Sequence, residues 1–353
     1  MALIKVKERG RETVNLGRRN LIINGAMQIA QRGTSATGLG VSPGYYTVDR
    51  WRFADSNNPT ARFTQTQSTD APEGFSASHK YEVTTNDGAT DANELQYTDH
   101  FIEAQNLQHL KYGTSNAESV TLSFYVKSSV ASTMGVRFSH EDGGGSYGAS
   151  YTINSVNTWE RKSITVPGNT ATAINDDNGR GMSIRFGLNI GSTYAGSNST
   201  AWGNGSIFGA HTNTFVGTAN ATWQITGVQL EVGSSATDFE HRSIGEELAA
   251  CQRYFEQQHY PANDQLCVSM RWSGYAYMGH ITCMEVKRTE PTVSSTGIVK
   301  HMGQASFSNT VSPVWQYMTP QGVGIYSTPS SGPTGNAVLV LSEGITVNID
   351  AEL

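Results

Sequence analysis

Cysteine is scarce in this chain of 353 residues: Cys251, Cys267 and Cys283 are an odd number without C-x-x-C spacing. That pattern excludes a disulfide framework or a zinc knuckle as the organising device and leaves buried reduced thiols as the expectation. Charge is also scarce, at 15% of residues, and the balance is acidic: 24 Lys and Arg against 30 Asp and Glu, a formal net charge of −6. A broad phosphate-binding surface would need the opposite excess, so nucleic acid is not an expected partner. No apolar run approaches the roughly 20 residues that span a bilayer, and the N-terminus lacks the short apolar stretch of a secretory signal. Membrane insertion is not expected. The nine His residues form no H-E-x-x-H or paired ligand spacing, and no G-x-S-x-G elbow or phosphate loop occurs. No catalytic residue, cofactor or metal is therefore expected. A glycosidase needs two carboxylates at a set separation, and no local motif supplies them, although the fold could bring together two that are distant in sequence.

What is present is turn chemistry. Thirty-seven Gly, ten Pro and long runs of Ser, Thr and Asn suit many short strands joined by turns, because these residues supply turn geometry and interrupt helices. At roughly 100 to 200 residues per domain the length allows two or three domains. The expectation is a mainly β chain in four regions.

Residues 1–19 read as an arm in which Lys5, Lys7, Arg9, Arg11 and Arg18 outweigh Glu8 and Glu12; with no core of its own, it is expected to dock on a neighbour. Residues 20–242 read as a β-sandwich. It opens with the alternating "RNLIINGAMQIAQRG" from Arg19, taken as its first strand, and continues through "YTVDRWRF", "HKYEVTT", "SVTLSFYVKSS", "TMGVRFSHE", "ERKSITVPG", "MSIRFGLNI" and "ATWQITGVQLEVG". Val120, Leu122, Phe124 and Val126 share one face. In the last segment Trp223, Ile225, Val228 and Leu230 alternate with a slip at Gly227, where a bulge is expected.

Residues 243–258 read as a linker helix. Ser243 and Glu246 fit a capping box, and Ile244, Leu248, Cys251 and Phe255 make an apolar stripe opposed by Glu247, Gln252, Arg253 and Glu256, with Pro261 beyond. So short a stripe cannot bury itself alone: it can cap its own sandwich or, the favoured reading, meet its copies around a three-fold axis. Residues 259–353 read as a smaller distal β domain ending in the alternating Ile345, Val347 and Ile349, a strand that needs a partner. Burial between subunits would help so small a domain.

The best candidate chemistry is sugar binding. The loop from Gly191 to Ala219 sets Tyr194, Trp202 and Phe208 among small polar residues; an exposed aromatic face can stack on a pyranose while Asn and Ser bond its hydroxyls, and the alternative is that these rings form a satellite core. Tyr147 and Tyr151 are weaker candidates. Trp272 and Tyr275 are the distal ones, with Tyr277 on the same face as Tyr275. The cluster His140, Glu141, Asp142 before a Gly run reads as a solvated hairpin tip, since adjacent strand residues point to opposite faces. "NDDNGRG" at Asn175 to Gly181 lacks the alternating acidic ligands and closing Glu of an EF-hand.

"NLIINGAMQ" from Asn20, "SVTLSFYVKSS" from Ser119, "TWERKSITVPG" from Thr158 and "WQITGVQLEVGS" from Trp223 resemble, in order and separation, strands of carbohydrate-binding jelly-roll modules of the galactose-binding-like group. Where that group commonly carries an Asp that helps hold a structural Ca²⁺, this chain has Thr226 and Gly227, which puts a calcium site in doubt. "NLIINGAMQIAQRGTS", "YYTVDRWRF", the segment Gln229 to Glu256, "CMEVKRTEPTV" from Cys283 and the terminal "ITVNIDAEL" are more particularly similar to virion fibre and tail proteins of bacteriophages, marine and cyanobacterial phages especially. The resemblance implies a jelly roll followed by a distal domain, assembled as a homotrimer and held by its arm on a tail adaptor. It further implies contact with host-surface polysaccharide, a virion (tail) location after synthesis in the host cytoplasm, and no enzymatic activity. The rivals are a polysaccharide depolymerase on the same scaffold, a capsid decoration or cement protein, and a free secreted sugar-binding module.

Overall fold

The computed structural model describes residues 19–273, 276–302, 308–327 and 337–353, so the expected arm lies outside them except for Arg19. The first body contains β1 (Ser35–Leu39), β2 (Gly44–Tyr45), β3 (Arg52–Ser56), β4 (Arg62–Ser68), β5 (Ser78–Thr85), β6 (Leu95–Glu103), β7 (Val120–Ser128), β8 (Thr133–His140), β9 (Gly145–Thr152), β10 (Glu160–Val166), β11 (Arg180–Ile190) and β12 (Thr222–Val232). They form two six-stranded antiparallel sheets, ordered β1-β4-β5-β12-β7-β10 and β2-β3-β6-β11-β8-β9. The chain crosses repeatedly from one sheet to the other, the arrangement of a jelly-roll sandwich. Val120, Leu122, Phe124 and Val126 are fully buried between the sheets. Phe124 meets Phe186 of the facing sheet edge-on at 5.2 Å, and the Trp223 indole donates to the Tyr151 hydroxyl at 2.9 Å. At Gly227, with φ +59°, β12 shifts register against β7 between Thr226 and Gln229, which is the expected bulge.

The opening segment is not the strand that its alternation suggests. Asn24 and Met27 sit at positive φ, and the Asn24 side chain closes a loop by donating to Ile29 O at 2.8 Å and Asp49 O at 2.9 Å while accepting from Ile29 N. Ile22, Met27 and Ile29 are buried as the pattern implies, but through a turn held against the bulge, where Val228 N donates to Gly25 O at 2.9 Å. Likewise only the end of "YTVDRWRF" is strand, because Arg50 takes φ +70° just before β3.

Beyond a short helix α1 (Thr214–Gly217), helix α2 runs over Ile244–Gln252 with the complete Ser243/Glu246 capping box. It is shorter than the expected 243–258, and its faces differ from expectation. Cys251 and Glu247 are buried, Ile244 is 59% exposed, and Phe255 belongs to a strand. Glu247 turns inward because it accepts the Asn24 backbone N–H and faces Arg242 at 3.4 Å.

The distal body contains β13 (Phe255–Tyr260), β14 (Gln265–Ser273), β15 (Ala276–Thr282), β16 (Thr292–Thr296), β17 (Val299–Met302), β18 (Ser308–Val311), β19 (Val314–Thr319), β20 (Gly322–Ser327), β21 (Ala337–Ser342) and β22 (Ile345–Asp350). A three-stranded sheet, β13-β22-β16, packs on a seven-stranded one, β18-β17-β21-β14-β15-β20-β19. Ile345, Val347 and Ile349 of β22 form a core with Ile281, Val323, Ile325 and Val340. The partner that β22 needs is therefore in its own chain, on both sides. All three cysteines are free and buried.

The two bodies are joined by a charged seam. Arg50, fully buried, pairs with Glu352 and lies 3.5 Å over the Tyr254 ring. Arg32 reaches Asp350 at 3.0 Å and Glu352 at 3.3 Å, Arg253 reaches Glu103 at 2.8 Å, and Arg288 donates to Ala351 O and Asn178 O. Phe101, Tyr254 and Leu353 pack together beside Ile23.

Candidate functional site

The loop after β11 carries three of the aromatic candidates, and the structure gives them different roles. Phe208 is fully buried, its ring 5.6 Å from Tyr97 in a small cluster with Ala54, Leu95 and Ile190, and Tyr194 packs half-buried on the same cluster. Phe208 thus has no face to offer a ligand. It is satellite core, because an aromatic ring in a polar loop gains more from filling the gap beneath that loop than from standing in water.

Trp202 is different. It is half-buried, its indole N–H is fixed on Pro167 O at 2.6 Å, and its ring is buttressed by Tyr112 at 5.9 Å, His140 at 6.4 Å and Tyr147 at 6.1 Å. Tyr147 is also half-buried, whereas Asn204 and Ser206, on the loop just past Trp202, are exposed. The loop is laced to β9: Ser146 and Gly203 exchange both backbone bonds, at 2.7 and 3.0 Å, and Ser199 N donates to Gly148 O at 2.7 Å. Gly145, at φ +79°, allows this approach, since a Cβ there would stand 2.2 Å from Gly203 O. The result is a held, partly open aromatic pair with amide and hydroxyl side chains beside it.

The cluster of His140, Glu141 and Asp142 does not converge. Glu141 pairs with Arg185 at 2.7 Å, Asp142 accepts from Asn175 at 2.8 Å, and the His140 ring lies against Tyr112 with its basicity lowered, first of all by burial. Among the described residues no group of three or more His, Cys, Asp and Glu side chains comes together as a metal site would require. Of the distal candidates, Trp272 lies on β14, Tyr275 is outside the described residues, and Tyr277 is fully buried core.

Comparison with known proteins finds no matching family model and no matching curated protein. Solved structures do align. The enzymatically active domain of tailspike protein 4 of bacteriophage CBA120 is 12% identical with a TM-score of 0.31, over 61% of this chain and 22% of that one. A family 11 carbohydrate-binding module of a Clostridium thermocellum cellulosomal cellulase is 12% identical with a TM-score of 0.29, over 56% and 99%. A tandem carbohydrate-binding-module domain from Paenibacillus barcinonensis is 9% identical with a TM-score of 0.27, over 92% and 97%. The chain thus spans less than a quarter of the tailspike chain that it matches. Likeness at this distance assigns neither ligand nor residue.

A second concavity was invisible to sequence reasoning. On the outer face of the three-stranded sheet, Phe255, Asp350 and Thr292 stand in one row and Gln257, Asn348 and Ser294 in the next. With Arg32 and Val293 they line a cleft of about 340 Å³. Gln257 donates to Asn348 at 2.9 Å, and Arg32 covers the Phe255 ring at 3.5 Å. The row assembles only once β13 is known to be a strand, and the helix pattern through Phe255 hid it.

Proposed function

We propose that this chain is a structural virion protein, a bacteriophage tail fibre whose arm, residues 1–19, docks on a tail adaptor and whose folded body contributes to recognition of host-surface glycan. The tail-fibre part rests on the sequence resemblance. The glycan part is carried by one observation: the Trp202–Tyr147 pair, held from behind by Tyr112 and His140 and flanked by exposed Asn204 and Ser206. A pre-positioned aromatic face with amides and hydroxyls at its rim suits the apolar face and the hydroxyl edge of a pyranose, and its rigidity lowers the entropy cost of binding. Aromatic stacking binds without breaking bonds, so the protein is read as an adhesin and not an enzyme, acting as a homotrimer on the virion tail.

Two measurements test this. Cryo-electron micrographs of particles labelled with an antibody to this chain should show it on the tail; label on the head would instead make it a decoration or cement protein. Host polysaccharide incubated with the protein should be retained with its chain length unaltered in size-exclusion chromatography. Steady release of oligosaccharides would make the protein a depolymerase.

A further inference from the structure

The distal sandwich has two outer faces, and they differ in kind. That of the three-stranded sheet carries Asp350 and Thr292, then Gln257, Asn348 and Ser294, then His259, Thr346 and Thr296, an ordinary wet surface. That of the seven-stranded sheet does not. Cys267, Ser269, Tyr277, Val323, Ile325 and Val340 point inward and are buried, so their neighbours along each strand point outward. Register then sets Val314 beside Tyr326, Tyr326 beside Met278, Met278 beside Met270, and Val268 beside Leu339. Val314 is 49% exposed, Met270 68%, Val268 54% and Leu339 41%, and Tyr326 and Met278 are half-buried. An apolar band therefore crosses five adjacent strands, from β19 to β21.

We infer that this face is where a second copy of the chain docks, the same face of each copy turned toward a common axis. The inference rests on the homotrimeric reading above and moves its contact surface from helix α2 to the distal sheet. The stripe on α2 is broken up within the chain: Cys251 is buried, Phe255 has passed into β13, and only Ile244 is left well exposed. The occupant follows from size and charge. The five strands of the band, about 4.8 Å apart and each some 20 Å long, span a face of the order of 500 Å², more than half of the roughly 800 Å² that each partner contributes to a standard stable interface. Apolar patches of several hundred Å² are often contact surfaces. A chain of net charge −6 repels its own copies wherever carboxylates would meet, whereas the five strands of this band contain no Asp or Glu, so apolar side chain meets apolar side chain without carboxylates facing one another. Lys300, near its edge, is paired with Glu343 at 3.0 Å.

The test uses the full chain in sedimentation velocity over a hundredfold range of concentration. The wild type is expected to sediment as an assembly, and Met270→Glu with Val268→Glu to fall threefold in mass to a monomer with an unchanged near-ultraviolet dichroism spectrum, because both side chains are exposed in the single chain. Gln257→Lys on the polar face should leave the assembly intact. A folded double variant that remains assembled would overturn this surface while leaving the homotrimer and the glycan reading standing. A wild type that is monomeric throughout would overturn both this inference and the homotrimer. If the double variant unfolds, Met270→Cys decides: spontaneous disulfide-linked dimers support the face, and a thiol that never cross-links in the assembled protein overturns it.

Discussion

Arg50 and Glu352, 302 residues apart in sequence, form an ion pair in which the guanidinium is wholly buried. The arginine also donates to Phe101 O at 2.7 Å and lies over Tyr254, so one side chain gathers the sandwich, the segment after α2 and the last residues of the chain.

Removing the carboxylate charge should be costly. Glu352→Gln leaves Arg50 buried without its counter-ion, an effect on the order of 3 to 5 kcal/mol, read in urea unfolding. The double variant Arg50→Met with Glu352→Met should recover part of that loss, because neither charge is then stranded; a double variant no better than the single one would contradict this account.

The seam also sets a pH dependence. Burial pushes the Asp49 carboxyl up to about 6, against the relief given by Gln31 and Arg32. Between the unfolded carboxylate range and that value the native state keeps a proton that the unfolded state has released. Stability from this group therefore falls as pH rises from about 4 to about 6, by up to about 3 kcal/mol. Asp49→Asn should flatten that part of the profile, and unfolding midpoints at several pH values for the two proteins would show it.

Gly25 has a different constraint. A Cβ there would stand 2.1 Å from Val228 O, so Gly25→Ala must push the opening loop away from β12 and break the bond from Val228 N to Gly25 O. Destabilisation of roughly 1 to 3 kcal/mol is expected, with the amide of Val228 losing protection in hydrogen exchange.

Trp202→Ala should weaken retention on host polysaccharide by about 1 kcal/mol, roughly fivefold, through loss of the stacking face, while Phe208→Ala should instead lower thermal stability by opening a cavity beneath the loop. Affinity electrophoresis and a melting curve separate the two effects. Undiminished retention by a folded Trp202→Ala protein would turn attention to the cleft lined by Gln257 and Asn348.

The sequence shows strands where burial follows apolar alternation, and hides them where it does not. β7, β8, β10, β11 and β12 all fall where the alternation places them. β6 has every residue buried, yet it contains Gln96, Thr98, Asp99, His100 and Glu103. Their burial is secured by distant partners, such as Arg52 on Asp99 and Arg253 on Glu103, which no local pattern reveals. The opening loop misled for the opposite reason: its apolar residues are buried as a strand's would be, while Asn24 bends the backbone between them. Trp202 and Phe208 share one loop and similar surroundings in sequence, and only packing decides which ring is left partly open.

The small cluster that joins Ile23 to Leu353 has a mechanical consequence. Load applied at Arg19 enters β12 and the segment after it at once, since Arg19 N and Asn20 N donate to Glu240 and Leu21 N donates to Leu230 O, and it reaches the distal body two residues later through Ile23 and Leu353. The two bodies then bear load in parallel, because the stretch between them is itself tied to the opening segment, Arg242 on Asn20 O and Glu247 on Asn24 N. A pull that would unzip two modules strung in series must here shear a buried ionic lock first.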